Sequence, residues 1–68
     1  MISARNQFPG KVKSVKLGNV MAEIIIDAAG IELVSVITRE SAERMGLKTG
    51  MDVTAIIKST EVMVMTKT

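Results

Sequence analysis

Cysteine, histidine, tryptophan and tyrosine are all missing from this chain, and Phe8 and Pro9 are its one aromatic residue and its one proline. Without cysteine there is no disulfide, and without cysteine or histidine the ordinary zinc sites are excluded. Losing His, Cys and Tyr also removes the usual acid–base and nucleophilic groups. No serine sits in a recognisable nucleophile setting, so an enzyme is not expected. A single aromatic leaves no platform on which nucleobases could stack. Long apolar runs are missing too: IIIDAAGI is interrupted by charge and far too short to cross a bilayer. The opening MISARNQ has no apolar core of a signal peptide, so none is expected. Six methionines beside no cysteine fit the cytoplasm.

Charge of one sign is also scarce. Nine basic residues against seven acidic ones leave a net charge of +2. That is far from the basic saturation of a dedicated nucleic-acid binder. Lys11, Lys13 and Lys16 form the only basic cluster and read as a solvated strand face. Neither nucleic acid nor a membrane is expected as a partner.

What is present is apolar and β-branched. The 68 residues amount to one domain, 1–68, of which 47% are hydrophobic. A chain this short buries only about 60% of the surface its unfolded form exposes. Such scaffolds need a disulfide, a metal or self-association, and here association is the remaining route. KVKSVKL changes its apolar phase across Ser14, as a bulged first strand does. VMAEIIIDAA alternates, with Val20, Ala22, Ile24, Ile26 and Ala28 on one face as the core stripe. IELVSVIT is a third strand. RESAERMGL reads as a short helix, with Thr38 or Arg39 near its start and Gly46 as its left-handed end. VTAIIKST and VMVM follow as two more strands.

The expectation is therefore all-β: a five-stranded OB-like barrel with one short helix between the third and fourth strands. An SH3-like barrel has the same strand count and stays open. Val53, Ala55 and Ile57 oppose Ile56, and Val34 and Val36 oppose Leu33 and Ile37, so strands are apolar on both faces. A monomeric antiparallel sheet usually keeps one face polar. Contact with further copies is the natural explanation.

Two polar clusters remain. In SARN, Ser3 and Arg5 project to one side of an extended segment, bringing a hydroxyl and a guanidinium fork to one place. The fork stays charged and can donate two parallel hydrogen bonds to an oxyanion. The competing reading is a mobile terminus with a solvated arginine. In AIIKST, Lys58 follows two isoleucines in a strand expected to be largely buried, and Glu61 is the nearest acid, three residues on. A buried charge needs a partner, unless the stem reaches out to water or the lysine guards a sheet edge. Ser59 and Thr60 add donors. Together the clusters would make a site of donors without carboxylates, suited to a dianion and not to a hard cation.

SARNQ, SVITRESAERMGLKTG and VTAIIKSTEVMV together resemble the molbindins, or molybdenum-pterin-binding proteins, whose module is the Mop domain. The likeness spans essentially the whole chain. It implies an OB-like barrel assembled as a homohexamer, a trimer of dimers, holding molybdate or tungstate between subunits. Ser3, Arg5, Lys58 and Ser59 would be ligands. Thr38 and Ser41 match hydroxyl positions lining the same kind of site, and backbone groups near Ile57 would contribute. Phe8-Pro9 departs from the family pattern, and Pro9 removes a backbone donor from the first strand. A pterin would need planar stacking partners that one aromatic cannot supply. The function implied is thus cytoplasmic binding and storage of the oxyanion for molybdenum homeostasis. A nucleic-acid-binding OB module and a purely structural oligomer are the alternatives.

Overall fold

The computed structural model describes residues 4–67. Four strands, β1 (Asn6–Leu17), β2 (Met21–Ala28), β3 (Ile31–Thr38) and β4 (Asp52–Ile57), form one antiparallel sheet in the order β3-β2-β1-β4. Helix α1 (Arg39–Met45) connects β3 to β4, where the sequence places it.

β1 is long because it serves two partners. Asn6–Lys11 pair with β4, and Lys11–Leu17 pair with β2. The register slips between Val12 and Ser14, leaving Lys13 as the extra residue of the expected bulge. Just before it, β1 passes very close to β2. A Cβ on Gly10 would lie 2.2 Å from the Asp27 carbonyl oxygen and 2.9 Å from the Ala28 Cβ. Only glycine permits that approach.

β2 supplies the centre of the core. Ala22, Ile24, Ile26 and Ala28 are buried, with Val12 of β1 and Ala42 of α1 against them. Val20 does not belong to the stripe. It sits in the turn before β2, closed by the Gly18 N–H donating to the Met21 carbonyl at 2.8 Å, and is 71% exposed. Phe8, Leu33, Ile37, Leu47, Val53 and Ala55 pack around the buried set. α1 starts at the Thr38 cap, whose side-chain oxygen accepts from the Ser41 N–H at 3.1 Å, and stops at left-handed Gly46, φ 65°.

Among the described residues there is neither the expected fifth strand nor a closed barrel. After β4 a 3₁₀ turn spans Ser59–Glu61, and the VMVM segment that follows is irregular. Met63, Val64 and Met65 are 94%, 90% and 92% exposed. The physical reason is pairing: alternating apolar residues become a strand only beside a free edge. Residues 62–65 pair with neither edge of the described sheet. Those edges, β3 and β4, instead line a groove of about 250 Å³ between them, floored by Ile24 and Ile26.

Candidate oxyanion site

The β1–β4 register builds the site. The ladder ends at the pair Asn6↔Ile57, so Arg5 and Lys58 stand next to each other just beyond it. With Ala4, Ser59 and Thr60 they line one depression of about 360 Å³. Among the described residues no carboxylate lines it. Residues 53 positions apart in sequence meet because two strand ends coincide.

Electrostatics favour an anion there. Lys11 is paired with Asp52 at 2.6 Å, Lys13 with Glu32, Arg39 with Glu43 at 3.6 Å and Arg44 with Glu40 at 3.0 Å. Among the described residues neither the Arg5 nor the Lys58 side chain has an ion-pair or hydrogen-bond partner. Two neighbouring cations with no counter-charge repel each other, and a dianion between them removes that repulsion. The expectation that Lys58 is sunk in an apolar strand is corrected. β4 ends at Ile57, and Lys58 is exposed as the cap of the 3₁₀ turn. Proximity to Arg5, not burial, is what marks it.

The remaining candidates divide. Ser3 lies outside the described residues. Ser59 is in the depression, and Thr60, a further hydroxyl beyond the ligands the resemblance implies, lines it too. Thr38 and Ser41 are elsewhere. Thr38 pairs with Met21 at the end of β2 that faces Leu17, the far end of β1 from Arg5. The twelve residues of β1 separate the two groups, in a molecule 39 Å long. There the Thr38 hydroxyl donates to the Ser41 hydroxyl at 2.8 Å. Glu40 and Glu43 share the Thr38 depression with Arg39, so that end of one chain alone is a poor place for an anion. Among the described residues no cluster of His, Cys, Asp or Glu is arranged to hold a metal ion.

The family described as the TOBE domain matches residues 2–64. Molybdenum-pterin-binding protein 3 of Clostridium pasteurianum is 51% identical over 65 residues, covering 94% of this chain and 96% of that one. The chain belongs to the molybdenum-pterin-binding proteins, as a TOBE domain. Among solved structures of this family, MopII from Clostridium pasteurianum superposes with a TM-score of 0.91 at 45% identity, covering 97% of this chain and all of that one. A molybdate-binding protein from Sporomusa ovata gives 0.92 at 42% identity, covering 97% and 98%. The open sheet with one helix is therefore the family fold seen in a single chain.

Proposed function

We propose that the chain binds molybdate or tungstate as the intact oxyanion and stores it for molybdenum homeostasis in the cytoplasm. The observation that carries this is the Arg5–Lys58 juxtaposition: two cationic side chains that, among the described residues, have no partner and share a depression without a carboxylate. The family supports it, since a relative with nearly the same fold is named for molybdate. Arg5 donates a planar pair of hydrogen bonds and Lys58 a point charge, with the Ser59 and Thr60 hydroxyls and Ser3 completing the donors. Every oxygen of a tetrahedral dianion accepts, so a cage of donors leaves nothing unpaired. Protonated phosphate leaves its O–H without an acceptor there. Sulfate carries the same charge and is refused by size.

Thr38 and Ser41 belong to this site only if a second copy brings them. A homo-oligomer accounts for that, and the hexamer, a trimer of dimers, is the assembly the family resemblance implies. The exposed arm supports association. Its β-branched and apolar residues 62–65 match a strand that has no partner among the described residues, and the β3–β4 groove is an apolar gap bordered by two free strand edges. Seating the arm of a second copy there supplies the fifth strand and closes the barrel. The chemistry needs neither catalysis nor a pterin, and no stacking surface is on offer because Phe8 packs against the core.

Isothermal calorimetry with molybdate, tungstate, sulfate and phosphate tests the reading. Strong heats are expected for the first two and little for the others; comparable sulfate binding would end the selectivity claim. A structural oligomer in which Arg5 and Lys58 grip a neighbour's carboxylates is the second reading, favoured by the same missing partners. Arg5→Ala separates them: a ligand site loses anion binding and keeps its assembly, whereas a structural tie loses the assembly.

A further inference from the structure

The oxyanion site and the C-terminal arm are contiguous in the chain. Lys58, Ser59 and Thr60 line the depression beside Arg5, Glu61 ends the 3₁₀ turn, and the exposed Val62–Met65 stretch follows at once. The backbone that presents donors to the anion therefore also sets the direction in which the arm departs. That turn is weakly held. Its cap, Lys58, makes no side-chain hydrogen bond to it. The Glu61 N–H donates to the Lys58 carbonyl at 2.9 Å, but the next bond, from the Val62 N–H to the Ser59 carbonyl, is stretched to 3.5 Å. Ordinary N–H···O distances stop near 3.2 Å. Among the described residues no ion pair or side-chain hydrogen bond ties residues 58–61 to the sheet.

We propose that the bound oxyanion is the latch of the arm: it fixes the 58–61 turn against the start of β1, in the orientation from which residues 62–65 dock on a second copy. This rests on the oxyanion reading above. An anion held jointly by Arg5 on one side and Ser59 and Thr60 on the other ties the loose turn to the sheet. It binds the latched arrangement better than the loose one and shifts the population toward it. Linkage makes the effect reciprocal, so docking of the arm raises anion affinity by the same factor. The arm itself consists of valine and methionine and has no side chain that donates to an oxyanion. A change of anion affinity on altering the arm is therefore transmitted through the turn or the assembly, not lost from a direct contact.

The test uses the full chain and the variants Met63→Asp/Met65→Asp and, as a milder pair, Met63→Ser/Met65→Ser. Subunit exchange between isotopically light and heavy copies is followed by native mass spectrometry, with and without molybdate. Molybdate is expected to slow exchange about tenfold, and both variants to bind molybdate about tenfold more weakly while keeping their circular dichroism. Hydrogen exchange isolates the turn. At saturating molybdate the Glu61 and Val62 amides gain protection in the wild type and in the aspartate variant, where no arm docks. Protection confined to the wild type would mean that the anion only bridges copies, and would overturn the latch. Molybdate that binds all three proteins alike and leaves exchange unchanged overturns it as well, with the oxyanion site still standing. A chain that stays monomeric with molybdate bound has the same consequence. Absence of any molybdate heat in the wild type removes the site, and the latch with it.

Discussion

Arg5 and Lys58 differ in what they give an anion. The guanidinium fixes two donors in one plane, whereas the ammonium contributes charge with little direction. Arg5→Lys keeps the charge and removes the fork, so molybdate affinity in calorimetry should fall about tenfold, or roughly 1.4 kcal/mol, with the circular dichroism unchanged. A drop no larger than twofold would show that charge alone carries the site. A second residue, Ala29, sits under strain. It has φ 51° in the two-residue turn before Gly30, at φ 80°, and an ordinary side chain pays about 1–2 kcal/mol for that conformation. Asparagine tolerates it better, so Ala29→Asn should raise stability by about 0.5–1 kcal/mol, read as a higher Tm. The residues alone offered two clusters rich in donors and poor in acids. That SARN and KST belong together was implied by the family resemblance, and in the structure Arg5 lines one depression with Lys58 and Ser59. The burial of Lys58 was misread for a local reason. Ile56 and Ile57 promise a buried strand, but Ile56 faces outward and nothing in the residues marks Ile57 as its last.

At the scale of elements, β1 has to serve two partners, and Gly10 sits where it crosses from one to the other. Gly10→Ala drives a methyl into the Asp27 carbonyl, a contact that only a backbone shift relieves. A loss of about 2–3 kcal/mol in denaturant unfolding is expected, the upper end for overpacking. The bulge next to it places Lys13 against Glu32 of β3, and the hydrogen bond from Lys13 with its attraction to that carboxylate raises the lysine pKa above 10.5. A raised basic pKa gives stability that is complete below the unfolded value and is lost as pH climbs through the folded one. The wild type should therefore lose a small increment above pH 10.5 that Lys13→Met lacks, seen as converging Tm values of the two proteins in alkaline titration. Four strands, the bulge and the capped helix were readable because their signals are local: alternation, a phase slip, a threonine cap and a glycine stop. The fifth strand was half readable. VMVM states that it is fit to pair, but alternation carries no information on which molecule supplies the edge. Thr38 and Ser41 pose the same problem, since local pattern cannot say that they lie a full β1 length from Arg5.

For the whole molecule the deciding quantity is the size of the core. Among the described residues the buried set is Val12, Ala22, Ile24, Ile26, Ala28 and Ala42, and three of these are alanines with little apolar surface to hide. Meanwhile Val34 and Val36 of β3 stand 64% and 60% exposed, and Met63, Val64 and Met65 of the arm are barer still. A chain this short has a marginal core even when well packed. Here much of the apolar surface that would stabilise it faces outward. Under the proposed association another copy removes that surface from water, so folding and association become one equilibrium and mass action ties stability to concentration. Raising the protein concentration a hundredfold should lift the Tm by at least about 5 °C, given the several degrees that each kcal/mol is worth in a domain of this size. Molybdate should raise the Tm further at every concentration, and sulfate should not. Scanning calorimetry across that range decides the matter: a Tm independent of concentration, in a species that sediments as a monomer, would mean that the small core suffices and the exposed strand faces have no partner of their own kind.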